Sequence, residues 1–268
     1  MPEDRILVAV SGGKDSLALW HILLTLGYRA DALYVNLGIG AYSEESHRKV
    51  RHYADTVAAA HGAKLIVHVV EQEAGAGIRE LATVLHRPTC STCGTIKRYQ
   101  FNRAAVEQDY DVMATGHNLD DEAARLLGNV LHWQEEYLDK QSPTLPASVE
   151  GFAKKVKPLC RLSEREIAAY AVVNRIDYIV EECPMAKGSK MILYKEVLNR
   201  LETESPGTKQ RFYWGFLEKQ TKPEPDNESM AEKDQRTLHP CTTCGQPTTA
   251  EICTYCKMMA KAKTATPR

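Results

Sequence analysis

The stretch SGGKDS at residues 11–16 constrains the fold of this chain most, because of the patterns on either side of it. An apolar run at 6–10 precedes it and an apolar-periodic run at 17–26 follows it, which predicts a strand, a tight glycine turn and a helix start. Paired glycines let the backbone curl around a ligand, and the first turn of a helix presents unpaired N–H groups. We therefore predict an anion site, and Lys14 with two serine hydroxyls favours a phosphate chain.

Length and composition narrow the class of protein. A chain of 268 residues can bury a substantial core, and its net charge of −1 excludes a uniformly basic surface, so a nucleic acid would be held by local basic patches. No apolar run approaches the roughly 18 residues of a membrane span, and the N-terminus lacks a secretory signal, so we expect a cytoplasmic protein without a membrane partner. In that compartment eight cysteines favour metal ligands or reactive thiols over disulfides.

Apolar and amphipathic segments alternate through the first half of the sequence. Strands are predicted at 30–36, 64–70 and 111–114, and helices at 44–60, 78–86 and 92–107. Such alternation builds a doubly wound, mostly parallel α/β sheet whose ligands lie beyond the carboxyl ends of the strands. The string TGHNLDDE at 115–122 follows the fourth strand, so we expect it to face the same crevice as SGGKDS.

Beyond the fourth strand the pattern is less regular. The segment 139–157 contains two prolines and is predicted to be a loop. Ser163 with a glutamate three residues later is typical of a capping box, which predicts a helix start. A last strand is predicted at 178–180, and helical patterns run up to 201 and over 209–219.

Four cysteines near the C-terminus have the spacing of two metal-binding knuckles. They are Cys241, Cys244, Cys253 and Cys256. Four thiolates at this spacing can close a tetrahedral Zn²⁺ site, and so short a segment would need the metal to fold. A closed tetrahedron leaves no open position, so this zinc ribbon is predicted to be structural or partner-binding.

A second group of cysteines is predicted near the crevice. Cys90 and Cys93 lie between the third and fourth strands at a helix start, and Cys183 follows the last predicted strand. Three thiolates could hold a [4Fe-4S] cluster with one iron left open, a second zinc ion, or, for the first two, a redox pair. The residues alone leave these three alternatives open. Cys160 is predicted to be a small buried hydrophobe.

SGGKDS in this setting resembles the pyrophosphate loop of the PP-loop superfamily, the N-type ATP pyrophosphatases. The resemblance implies that ATP is cleaved between its α and β phosphates in the presence of Mg²⁺, so that a substrate oxygen becomes adenylated. The strings CSTCGTIKR, TGHNLDDEA, KPLCRLSEREIAAYA and EECP, in this order, resemble the tRNA 2-thiolation enzymes of the TtuA/TtcA group. The C-terminal ribbon fits the TtuA branch, although members of that branch usually carry another zinc knuckle before the first strand.

This resemblance implies roles for particular residues. The [4Fe-4S] cluster would be held by Cys90, Cys93 and Cys183, with Lys97 and Asp121 at catalytic positions. ATP is expected at Ser11, Gly12, Gly13, Lys14, Asp15, Ser16, Asn36, Gly116 and His117. Basic residues at which tRNA is expected are Arg98, Arg103, Lys187, Lys190, Lys209 and Arg211.

The implied reaction is ATP-dependent thiolation of tRNA. A pyrimidine C2 oxygen would attack the α-phosphate and expel pyrophosphate, and sulfur would then displace AMP. The expected sulfur donor is a thiocarboxylated ubiquitin-like protein, a persulfide carrier or sulfide, and the sequence leaves a homodimer open. The alternatives are transfer of nitrogen to an adenylated substrate and a non-catalytic ATP-binding scaffold.

The chain is predicted to divide into five parts. They are a PP-loop catalytic domain at 1–160, a helical extension at 161–220, a linker at 221–237, a zinc ribbon at 238–258 and a basic tail at 259–268. The extension is expected to complete the catalytic region and to offer a tRNA surface.

Overall fold

The first strand stands at the centre of a mostly parallel sheet. The computed structural model describes residues 3–148, 150–186, 188–221 and 238–265. The strands of this sheet are β1 (Arg5–Val10), β2 (Arg29–Asn36), β3 (Leu65–Val69), β4 (Val112–Thr115), β5 (Thr144–Leu145) and β6 (Lys155–Val156). Their order is β3-β2-β1-β4-β6-β5, and only β5 is antiparallel to its neighbour among the described pairs.

Helices cover both faces of the sheet. They are α1 (Lys14–Thr25), α2 (Gly40–Thr56), α3 (Val70–Ala74), α4 (Ile78–Val84), α5 (Thr89–Glu107), α6 (Leu119–Leu131), α7 (Glu135–Leu138), α8 (Glu164–Val173), α9 (Lys190–Glu204) and α10 (Thr208–Thr221). Residues of α1, α2 and α8 pack on one face around Trp20, whose indole N–H donates to the carbonyl of Ala30 at 2.8 Å. Residues of α4 and α5 pack on the other face. The predicted α/β fold is confirmed.

The ribbon consists of a short hairpin and a helix. Strands β7 (His239–Pro240) and β8 (Pro247–Thr248) pair antiparallel, and α11 (Thr254–Ala265) follows them. Met258, Met259 and Ala262 are buried in the same core as α4 and α5. The prediction of a separate basic tail from 259 is therefore wrong for the described part, because these apolar residues continue the helix and pack against the sheet domain.

Two predicted segments differ from the structure. The loop predicted at 139–157 contributes β5 and β6, which are too short to show any periodicity in the sequence. The segment 178–180 is not a strand, because it pairs with no neighbour of the sheet. Instead the N–H of Ile179 donates to the carbonyl of Gly12 at 2.9 Å and ties this segment to the SGGKDS loop.

The predicted linker and the expected lack of a membrane span can be compared with the described residues. The predicted linker lies almost wholly outside the described residues, as does Lys187. Among the described residues, no helix combines the length and the apolar character needed to cross a membrane.

Candidate nucleotide and thiol site

The SGGKDS loop turns directly from β1 into α1. Gly12 has a φ of 82°, and a Cβ there would lie 2.8 Å from the carbonyl oxygen of Ser46, so only glycine fits. Gly13 is the N-cap of α1 and offers no side chain to its first N–H groups. The Ser16 hydroxyl accepts from the N–H of Ser11 at 3.1 Å and donates to the carbonyl of Gly13 at 3.0 Å. These contacts fix a loop whose N–H groups are available for an anion.

A cavity of about 310 Å³ opens beside this loop at the carboxyl ends of β1, β2 and β4, where the sequence predicts a crevice. We call it the nucleotide cavity. Its lining includes Ser11, Gly13, Asp15, Ser16, Leu37, Lys97, Gly116 and His117 together with Tyr34, Tyr42, Ser43, Ser46 and Phe101. The last five were not predicted, because β2, α2 and the middle of α5 carry no motif that marks them.

Asn36 is not part of the cavity lining. Its side-chain oxygen accepts from the N–H of Gly38 at 3.0 Å, so it shapes the turn after β2. That Asn36 contacts ATP stays a prediction, while its neighbour Leu37 lines the cavity.

The turn after β4 packs tightly on the SGGKDS loop. A Cβ on Gly116 would lie 2.9 Å from the carbonyl carbon and oxygen of Asp15. His117 places Nδ1 2.9 Å from the hydroxyl of Thr115. Burial lowers the pKa of His117 to about 4, although Asp121 opposes the shift, so this imidazole is neutral at pH 7.

Lys14, predicted to bind ATP, and Asp121, predicted to be catalytic, are both held in ion pairs. Lys14 Nζ lies 2.6 Å from Glu164 Oε1 and 3.1 Å from Asp15 Oδ2. Asp121 Oδ1 lies 2.6 Å from Lys195 Nζ. Asp121 also completes a capping box of α6, because its Oδ2 accepts from the N–H of Asn118 at 3.2 Å.

Cys90, Cys93 and Cys183, which we call the thiol trio, lie in one neighbourhood. The thiol of Cys90 donates to the carbonyl of Met185, two residues after Cys183, at 3.4 Å. Burial raises the pKa of Cys93; Lys97 opposes the shift, while Cys183 and Cys90 add to it. Three thiolates, one exposed and two half-buried, are a donor set that fits an iron–sulfur cluster.

Lys97 connects the thiol trio with the nucleotide cavity. It lies one turn after Cys93 on α5 and lines the cavity. The same side chain therefore faces the ligand position and lies within electrostatic range of a thiol.

The four ribbon cysteines form a compact set. All their sulfurs lie within 4.8 Å of one another, and Cys244 and Cys253 are 3.8 Å apart. Tetrahedral zinc with Zn–S bonds of about 2.3 Å places its ligands about 3.8 Å apart, so the set fits Zn²⁺. Burial disfavours ionisation of Cys241, but backbone N–H groups, including that of Cys253 at 3.2 Å, outweigh it and lower the pKa to about 6.

The ribbon is docked on the helix that carries the thiol pair. Tyr255 stacks on Tyr99 of α5 with ring centroids 3.6 Å apart and accepts a hydrogen bond from Gln100 at 3.0 Å. Asn102 of α5 donates to Gln246 of the ribbon at 2.5 Å. A ribbon that is anchored in this way holds α5 in place.

The predicted tRNA-binding residues differ in their exposure and in whether they are already paired with an acidic residue. Lys209 is 6% exposed and paired with the buried Asp120, so the prediction that it binds tRNA is wrong. Arg103 is occupied by Glu107 at 3.0 Å. Arg98, Lys190 and Arg211 are exposed, and Arg211 hydrogen-bonds within its own turn.

Comparisons with known proteins agree with this site. The PP-loop domain family matches residues 1–188. A tRNA-5-methyluridine(54) 2-sulfurtransferase of Thermus thermophilus is 49% identical over 96% of this chain and 77% of its own length. Proteins of the same description from Pyrococcus horikoshii and Thermotoga maritima are 45% and 42% identical, over 97% and 98% of this chain and 80% and 84% of their own.

A solved structure has the same fold. The U34-tRNA thiolase NcsA from Methanococcus maripaludis, determined with its [4Fe-4S] cluster, matches 98% of this chain and 82% of its own with a TM-score of 0.77 at 24% identity. The family match over 1–188 and the three relatives above 40% identity decide the classification. The chain belongs to the PP-loop domain family and, within it, to the tRNA 2-thiolation enzymes of the TtuA/TtcA type.

Proposed function

We propose that this enzyme uses ATP to replace the C2 oxygen of 5-methyluridine 54 in tRNA with sulfur. The position is taken from three relatives at 42–49% identity, each described as a tRNA-5-methyluridine(54) 2-sulfurtransferase. The observation that carries the proposal is the place of Lys97, between the nucleotide cavity and the thiol trio. An activated base at this point would be within reach of both.

In this proposal the nucleotide cavity takes the adenosine part of ATP. Tyr42, Phe101 and Leu37 offer apolar walls to the base, and the SGGKDS loop offers N–H groups and Lys14 to the phosphates. Mg²⁺ would be shared by phosphate oxygens and a carboxylate, for which Asp15 and Asp121 are the candidates. His117 is neutral and therefore does not add charge beside the phosphates.

The first step is adenylation of the base. The C2 oxygen attacks the α-phosphate, the bond between the α- and β-phosphates breaks, and pyrophosphate leaves with its electron pair. Lys14 and the loop N–H groups stabilise the charge that grows on the leaving group, and Lys97 stabilises the adenylated base. This step is needed because a carbonyl oxygen is a poor leaving group.

In the second step sulfide adds to C2, the C2–O bond breaks, and AMP leaves with the original oxygen. The thiol trio would hold a [4Fe-4S] cluster, which when bound offers an iron without a protein ligand on which sulfide can be carried. Cys93 is half-buried and burial raises the pKa of its thiol, so the positive charge of a bound metal group would be needed to stabilise the thiolate.

The tRNA phosphates would be held on a basic face beside the trio. Arg98 lies over Gly94, since its Nη1 would be 3.1 Å from a Cβ there. Burial and the neighbouring charges of Lys157, Arg98 and Arg125 lower the pKa of Lys155 to about 8, although Glu122 opposes the shift, so positive charge predominates around this side chain. Such a face suits an RNA backbone better than Lys209, which is buried against Asp120.

Each segment of the chain has its own role in this proposal. Residues 1–160 bind ATP, 161–220 complete the site, and the ribbon holds Zn²⁺ and braces α5. The sulfur donor is a thiocarboxylated ubiquitin-like protein, a persulfide carrier or sulfide. We place the enzyme in the cytoplasm, in line with relatives of 26–27% identity described as cytoplasmic tRNA 2-thiolation proteins, and a homodimer remains a proposal.

The test is in vitro thiolation with the anaerobically reconstituted enzyme, ATP, Mg²⁺ and sulfide. One tRNA carries 5-methyluridine at position 54, and a control tRNA carries cytidine there. We expect 2-thiolation at position 54 with one pyrophosphate released per sulfur inserted, and no product with the control. Thiolation at another position would refute the assigned nucleotide, and ammonia incorporation in place of sulfur would refute the reaction.

A further inference from the structure

A closed ring of polar side chains joins the SGGKDS loop to the start of α6. Lys14 contacts Glu164 at 2.6 Å, Glu164 contacts Lys195 at 3.2 Å, and Lys195 contacts Asp121 at 2.6 Å. Asn118 closes the ring. Its side-chain N–H donates to Asp15 at 3.1 Å, and its side-chain oxygen accepts from the N–H of Asp121 at 2.9 Å.

Charges alternate along the part of this ring that is formed by ion pairs, in the order Asp15, Lys14, Glu164, Lys195 and Asp121. Burial alone would raise the pKa of Glu164, but its hydrogen bond to Lys14 and the charge of Lys195 outweigh it and lower the pKa. Burial alone would lower the pKa of Lys195, but Asp121 and Glu164 outweigh it and raise the pKa. Lys14, Glu164 and Lys195 are thus held in their charged forms at neutral pH.

Glu164 and Lys195 come from helices outside the nucleotide cavity. Glu164 is the first residue of α8, and its N–H is held by Asp120 at 2.8 Å. Lys195 belongs to α9, which packs along α6. Like Lys14 and Asp121, neither side chain lines the cavity, and each reaches the site through the one of these two residues with which it pairs.

The ring also affects how the phosphates of ATP bind to Lys14. Phosphate oxygens that reach Lys14 must compete with the Glu164 carboxylate, which already neutralises this ammonium group. Once Lys14 turns to phosphate, Glu164 still pairs with Lys195, which still pairs with Asp121. The pair therefore keeps Asp121 in a fixed position while the loop accepts its ligand.

We propose that Glu164 and Lys195 are positioning residues, which set the distance between the phosphate-binding Lys14 and the catalytic Asp121. This inference rests on the proposed function, because it takes Lys14 to bind ATP phosphates and Asp121 to act in adenylation. Misplacement of a reacting group by about 1 Å can cost about 100-fold in rate, so the effect should fall on kcat. Removal of the Glu164 charge should leave the KM for ATP unchanged or lower.

The experiment measures tRNA-dependent pyrophosphate release by the reconstituted enzyme and its Glu164→Gln and Lys195→Met variants. Rates are referred to the number of ATP-binding sites found by calorimetry, so that loss of folded protein does not imitate loss of kcat. Matched controls are Glu196→Gln and Arg200→Met, which change exposed residues of α9. Lys195→Arg keeps the charge and serves as the conservative variant.

We expect both ring variants to lose about 10- to 100-fold in kcat with the KM for ATP within about threefold of wild type. Lys195→Arg should recover most of the loss, and both controls should match wild type. A kcat within twofold of wild type, or a large rise in KM at unchanged kcat, would overturn the inference. If the wild-type enzyme itself released no pyrophosphate with tRNA, the proposed function would fail instead.

Discussion

Adding one methyl group at Gly116 should separate the two loops that form the nucleotide cavity. The Cβ of an alanine would lie 2.9 Å from the carbonyl carbon and oxygen of Asp15 and 3.0 Å from Cα of Ser16, whereas ordinary contact begins at 3.4 Å. All three are backbone atoms at the start of α1 and cannot swing aside. Overpacking of this kind costs about 1–3 kcal/mol, so Gly116→Ala should lower the free energy of unfolding by that amount.

The same strain should weaken ATP binding. If the turn after β4 relaxes outward, the cavity widens between His117 and the SGGKDS loop, and each 1.4 kcal/mol lost corresponds to about tenfold in Kd. The matched control is Gly215→Ala, since a Cβ there meets nothing within 4 Å. This control lies in α10 and should be neutral or stabilising by about 0.5–1 kcal/mol.

The assays are urea denaturation and calorimetric ATP titration on both alanine variants. We expect Gly116→Ala to show a lower midpoint of unfolding and a weaker Kd for ATP, with the control unchanged in ATP affinity. If Gly116→Ala matches wild type in both measurements, or if the two variants behave alike, the contact between Gly116 and Asp15 does not shape the cavity.

Two further predictions concern the basic residues. Lys209→Met leaves the buried Asp120 without its cation, so we expect a loss of about 3–5 kcal/mol in the free energy of unfolding. The tRNA affinity of the folded fraction should be unchanged by filter binding; an affinity loss at full stability would contradict the burial of Lys209. For Lys155, whose pKa is lowered to about 8 by burial and by Lys157, Arg98 and Arg125, the charged form predominates below that pH. Its charge is lost as the pH rises, so tRNA affinity should fall between pH 7 and pH 9. In Lys155→Gln the affinity should be lower and nearly flat, and the salt slope smaller by about one; equal slopes in both proteins would exclude this contact.

Local patterns predicted those parts of the fold that depend on neighbouring residues. The glycine turn between β1 and α1 and the capping box at Ser163 were both visible, because a turn and a helix cap are determined within a few residues. The α/β class followed from alternation for the same reason. Strands β5 and β6 were missed because two residues show no periodicity, and the pairing of 178–180 with Gly12 depends on distant parts of the chain.

The motifs of the candidate site were predicted from the sequence, but the charged side chains that hold those motifs in place were missed. Lys14, Lys97 and Gly116 stand in recognisable strings, whereas Glu164 and Lys195 look like ordinary charges of amphipathic helices. Lys209 looked like a surface lysine because nothing local reveals that it reaches Asp120. Charge partners far apart in sequence are determined by tertiary packing, so a single sequence cannot pair them.

The docked ribbon shows the same limit. Its cysteine spacing predicted a metal site, and the four sulfurs meet as expected. The stacking of Tyr255 on Tyr99 was not predictable, because each tyrosine alone fits any half-buried helix face.

Iron analysis of the protein purified without oxygen decides whether the thiol trio holds an iron–sulfur cluster beside the nucleotide cavity. We expect about four irons and four sulfides per chain in wild type and in the matched control Cys160→Ser. Cys183→Ser should lose most of this iron and all thiolation while it still binds ATP. Full iron content and activity in Cys183→Ser, or an iron-free wild type that thiolates tRNA at full rate, would contradict it.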